Sequence, residues 1–148
     1  MSFEIRLTFP IDRRGCLTLA NGRKQLTLKA FNNWQKRAFQ YGDADCCQFA
    51  GHVIKEITGI DYMKSFSYST EDEAKEIIRN EGGFVSAVTE FLGDPAPISV
   101  LQDGDPVLIE MQPMGQLMGV LFGKHVVCLS EKKMVRINGR HITHGWAV

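Results

Sequence analysis

Apolar and polar residues alternate crudely over residues 3–9 and stop at Pro10, the pattern of a short strand. Alternation resumes around Asn21-Gly22, with Leu17 and Leu19 before the turn and Leu26 and Leu28 after it. Asn-Gly favours a tight reversal, so residues 16–28 predict a β-hairpin. A four-residue loop would pair Leu19 with Leu26 and Leu17 with Leu28, whereas a two-residue loop would pair Leu19 with Lys24. From about Lys29 the spacing of Phe31, Trp34 and Ala38 becomes helical and leads to a turn at Tyr41-Gly42.

A second helix is expected from Asp45 to Ile57, with Phe49, Val53, Ile54 and Ile57 as its apolar stripe and Gly59 beyond its end. Thr70-Glu71-Asp72-Glu73 is a capping box opening a third helix, whose inner face is Ala74, Ile77 and Ile78 and which ends at Gly82-Gly83. Residues 84–92 form a fourth, ending at Gly93. After the breaker Asp94-Pro95-Ala96-Pro97, four β-rich runs follow: residues 107–111, 118–122, 125–129 and 134–137. Short connections make them an antiparallel meander, and helices followed by sheet make the fold class α+β.

The chain has 148 residues, 44% of them hydrophobic, which suits one core. Seventeen basic residues balance seventeen acidic ones, so nothing draws the protein generally toward nucleic acid or an anionic membrane. No run approaches the ~20 apolar residues of a membrane span. The N-terminus carries charges inside its one short apolar run and does not read as a secretory signal, so synthesis in a reducing cytoplasm is expected. Cys16, Cys46, Cys47 and Cys128 lack Cys-x-x-Cys spacing, which disfavours zinc or a disulfide framework.

Chemistry concentrates at Asp45-Cys46. A cysteine in the first turn of a helix meets unpaired amide N–H groups and the positive end of the macrodipole, both of which favour thiolate. Cys46 therefore reads as a nucleophile or, equally, as a small core residue, and Asp45 reads most simply as an N-cap.

Three motifs occur in a telling order: Asp45-Cys46-Cys47-Gln48-Phe49, then Gly104-Asp105-Pro106-Val107, then Met118-Gly119-Val120-Leu121-Phe122-Gly123. This order resembles the NlpC-type papain-like cysteine peptidases, which cut peptidoglycan stem peptides. There Asp-Cys-Ser-Gly-Phe carries the nucleophile, Gly-Asp-Leu-Val enters a strand, and His-Val-Gly-Ile-Tyr-Leu-Gly carries the catalytic imidazole. The resemblance covers residues 29–148, leaving residues 1–28 as an N-terminal extension. More narrowly the chain resembles a branch encoded in bacteriophage tail gene clusters, through Phe39-x-Tyr41-Gly42, Thr58-Gly59-Ile60-Asp61 and Trp146.

The resemblance implies a papain-like domain with Cys46 as vestigial or candidate nucleophile, and no cofactor. It puts Leu117 where the family has its histidine, Cys128 where it has the residue orienting that histidine, and Phe39 where it has the oxyanion tyrosine. His125 is the remaining candidate base, facing the helix at even odds from strand alternation. The expectation is a virion component of the tail tip that has lost peptidase activity. Its partners would be the tail hub, distal tail and tape measure, with peptidoglycan as a further partner and no nucleic acid. Docking through the edge of the N-terminal hairpin would follow. The alternative is an active cysteine endopeptidase that opens the cell wall during DNA entry.

Overall fold

The computed structural model describes residues 19–148. Four helices come first: α1 (Leu19–Trp34), α2 (Cys46–Thr58), α3 (Glu71–Asn80) and α4 (Phe84–Leu92). Five strands follow: β1 (Pro106–Met111), β2 (Gly115–Phe122), β3 (His125–Leu129), β4 (Met134–Asn138) and β5 (Ile142–Gly145). The fold is α+β, helices before an antiparallel sheet. The expected ends of α2 hold: Asp45 caps it, and Gly59 closes it at φ 81°, a left-handed conformation. Thr70 caps α3 as expected, its Oγ1 accepting from Glu73 N at 3.2 Å, while Glu73 Oε2 reaches one residue past the cap to accept from Ser69 N at 3.0 Å.

The N-terminal reading needs correction. The strand expected over residues 3–9 and the start of the hairpin at residues 16–18 lie outside the described residues. From Leu19 onward the hairpin is replaced by α1, a helix that runs through Asn21-Gly22 and across the expected boundary at residue 28. Helical spacing puts Arg23, Thr27, Phe31 and Trp34 on one face. Phe31 is fully buried, and Thr27 donates to the Arg23 carbonyl one turn back at 2.9 Å. Tertiary contacts at the start of α1 outweigh the ~1 kcal/mol that a helical glycine costs. Arg23 donates Nε to the Asp103 carbonyl at 2.6 Å and Nη1 to the Val148 carbonyl at 2.5 Å, and pairs through Nη2 with Asp105. Asp105, fully buried, also accepts from Gln102 N at 2.8 Å and from Val148 N at 3.1 Å. This cluster ties α1, the entry to β1 and the C-terminus together.

The sheet order is β4-β3-β2-β1-β5. The first four strands are the expected meander, and β5, which the sequence pattern does not reveal, adds beside β1. β4 and β5 lie at opposite edges, yet only the 3-10 turn Gly139–His141 joins them. Four peptide links reach at most about 14 Å, whereas the edges of a flat five-stranded sheet lie about 19 Å apart. The sheet must curl.

Its two faces consequently serve different cores. The convex face presents Leu108, Met118, Val120, Val127 and Leu129 to Phe31, Trp34, Phe49 and Val53 of the helices, with Trp146 fully buried among them. The concave face gathers Val107, Ile109, Leu121, Val126, Cys128 and Ile137 within the curl, with Leu117 packed against them.

Candidate functional site

The approach to Cys46 is a tight turn. Gln40 and Ala44 exchange backbone hydrogen bonds at 2.9 and 2.8 Å, and Gly42 between them takes φ 84°. A Cβ on Gly42 would lie 1.8 Å from the Tyr68 carbonyl oxygen, so only glycine fits. The turn delivers Asp45, 2% exposed, to the start of α2. Its Oδ1 accepts from Gln48 N at 2.8 Å; its Oδ2 accepts from Gly42 N at 2.8 Å and the Tyr68 hydroxyl at 2.7 Å. With three donors in place, Asp45 is a cap and a clamp between two loops.

Cys46, half-buried, occupies the first position of α2. Its thiol is held below the ordinary value chiefly by donation from the Cys47 thiol, against burial, with the Met118 amide N–H adding to the lowering. Cys47 is pushed well up by the same hydrogen bond and by burial. The pair divides into a thiolate-prone Cys46 and a protonated Cys47 donor.

Around this thiol the expected partners are not assembled. Leu117 packs into the concave core, and the side chain facing α2 belongs to its neighbour Met118. Cys128 also faces the concave core, and burial pushes its thiol up to about 12. Both positions that the resemblance assigned to the imidazole and its orienter point away from the Cys46 helix, because strand alternation places 117 and 128 inside the curl.

The sequence contains four histidines, all among the described residues. His125 shares the α2-facing parity of Val127 and Leu129 but pairs with Phe122 and Asn138. Phe122 lies four residues along β2 from Met118, about 13 Å, so His125 is not brought to Cys46. His52 packs on the Trp34 ring at 5.6 Å and lies 3.5 Å from Glu56, its pKa lowered chiefly by burial. His144 stacks on Trp146 with centroids 6.4 Å apart. It is opposite Leu108, which is opposite Met118, so two strand spacings, about 10 Å, separate it from β2. His141 sits in the 3-10 turn before β5.

Hydroxyls are present where sequence reasoning did not place them. Phe39 packs edge-on against Tyr41 with centroids 4.9 Å apart, and the Tyr41 hydroxyl lies 3.4 Å from Glu131 Oε1. Burial first, then the charges of Glu71 and Glu131, raise Tyr41 to about 12; the Cys46 thiolate adds to this, which places the phenol within its field. Tyr68 is raised chiefly by burial. Tyr41 stands in the Phe39-x-Tyr41-Gly42 run quoted above, which gives its hydroxyl no role, and Tyr68 carries no local sequence signal beyond its aromatic character. Among the described residues, no group of three His, Cys, Asp or Glu side chains could hold a metal ion.

Behind Cys47 lies an apolar cavity of about 120 Å³, walled by α2, the 3-10 turn Met63–Ser65, α3 and α4. No described helix is long and apolar enough to cross a membrane.

No curated protein matches the chain. Residues 19–148 match the model of a family described as a domain of unknown function, DUF6950, and the chain belongs to that family.

Proposed function

We propose that this protein is a structural subunit of a bacteriophage or phage-like tail tip, an NlpC-type papain-like frame without peptidase chemistry, docking on the tail hub or distal tail during assembly. The tail assignment rests on the motif order and the aromatic-x-aromatic-Gly, Thr-Gly-Ile-Asp and tryptophan positions quoted above. The loss of chemistry rests on one observation, that the strand register sets His125 and His144 away from Met118, the β2 residue beside Cys46. Amide hydrolysis by a thiolate needs an acid to protonate the leaving amine, and removing a triad member costs roughly 10⁴-fold or more. Docking through an N-terminal hairpin is not part of the proposal, because residues 19–28 are helical.

The test pairs two measurements. Purified protein incubated with peptidoglycan releases no stem peptides, and Cys46→Ala leaves the yield of assembled, infective particles unchanged. Murein hydrolysis that disappears in Cys46→Ala overturns the reading. So does absence of the protein from purified particles.

The active endopeptidase is favoured by one specific feature, the lowered thiol of Cys46 at a helix N-terminus. The donors beside Cys46 are the Cys47 thiol, pushed well up, and Tyr41, raised to about 12, and both are poor acids for this step.

A further inference from the structure

We propose that the cavity behind Cys47 is a binding site for the apolar end of a small amphiphile, a linear alkyl chain of about six carbons. The inference is independent of the tail assignment. The cavity measures about 120 Å³ and is walled by side chains such as Ile54, Met63, Ile77, Ala87, Phe91 and Met118. An engineered apolar cavity of ~150 Å³ stays dry and takes benzene-sized guests, which sets the scale of the ligand. Folded interiors ordinarily close such voids. Here the space stays partly open: α3 and α4 contain no fully buried residue, although Ala74, Ile77, Ile78, Phe84, Val88 and Phe91 all line it.

Polar groups at the cavity are already engaged. The Tyr68 hydroxyl donates to Asp45 at 2.7 Å, and the Cys47 thiol donates to Cys46. The third polar lining residue, Tyr62, turns its ring edge-on to Phe91, and the rest of the wall is apolar, so selectivity is for hydrocarbon, with any polar head at the mouth.

The experiment titrates the full chain with 1-hexanol, using 1,6-hexanediol as the matched control that lacks an apolar end. The methyl resonances of Met63 and Met118 report occupancy, and Met114, 43% exposed, serves as the distant reference. Saturable shifts of Met63 and Met118 with hexanol, at least tenfold weaker with hexanediol, are expected. Ala87→Phe, which fills the space, should weaken the hexanol midpoint at least tenfold; Ala74→Leu provides the same reading if Ala87→Phe does not fold. Non-saturating shifts, equal response to the diol, or an unchanged midpoint in the folded filling variant would overturn the proposal.

Discussion

The Tyr68 hydroxyl donates to Asp45 at 2.7 Å across 23 residues of chain, fastening the loop before α3 to the N-terminus of α2. Asp45 is buried, so each of its donors offsets the cost of desolvating a carboxylate. Tyr68→Phe keeps the ring and removes one donor. It is expected to lower unfolding stability by about 2 kcal/mol. Asp45→Ala, which orphans the Gln48 and Gly42 amides as well, should cost more. Urea unfolding of both variants checks the order, and equal stability of Tyr68→Phe and wild type would refute the clamp.

Arg23 and Asp105 form the other long-range fastening, with side chains 11% and 0% exposed. Removing the guanidinium leaves a buried carboxylate with only the Gln102 and Val148 amides. Arg23→Met is therefore expected to destabilise by about 3–5 kcal/mol. Replacing both partners with apolar residues should recover much of that loss, since no lone charge remains. Thermal and urea unfolding of the single and double variants measure the coupling.

Alkaline pH should weaken the fold through Cys128. Its thiol is raised from 9.0 to about 12 by burial first, then by the Cys46 thiolate. A group whose folded pKa is raised contributes stability that is fully present below the unfolded value and is lost as pH rises through the folded one. Stability should fall between pH 9 and 12, by about 4 kcal/mol from this group at about 1.4 kcal/mol per pH unit. Tyr41, raised to about 12 from 10.0, acts with the same sign. Cys128→Ala should flatten the pH dependence of unfolding free energy in that window; an unaltered slope would show that the thiol does not titrate as its burial dictates.

Much of the fold was legible because local signals agreed with tertiary demands. Asp45 and Gly59 bound α2, Thr70 opens α3, and Gly93 closes α4 where their chemistry says. The failure at α1 came from leucine alternation around Asn21-Gly22, a strong hairpin signal. What decided for helix was Arg23 reaching residues 80 and more positions away, which no local window contains. β5 escaped notice because Ile142-Thr143-His144-Gly145 has little apolar pattern and becomes a strand by pairing with β1. At the site, Cys46 and its cap were readable from helix-start chemistry. Which of Leu117 and Met118 faces the helix was not, since motif matching fixes position along a strand but the phase of the pleat is set by the curl of the sheet.

That phase makes the most discriminating prediction. Leu117→His follows the motif, yet position 117 packs with the concave core. Leu117 is half-buried against that core, so an imidazole there loses apolar packing and part of its hydration; the variant should lose about 1 kcal/mol and leave Cys46 reactivity unchanged. Met118→His follows the geometry instead, because Met118 faces α2 and its own amide already acts on the Cys46 thiol. An imidazolium near that thiolate favours ionisation further, so iodoacetamide labelling of Cys46 should move to lower pH than in wild type. Site-resolved mass spectrometry separates Cys46 from Cys47 and Cys128, whose raised thiols should label only at higher pH. A downward shift in Leu117→His with none in Met118→His would mean that position 117, not 118, faces the cysteine, and would return the motif-based register to consideration.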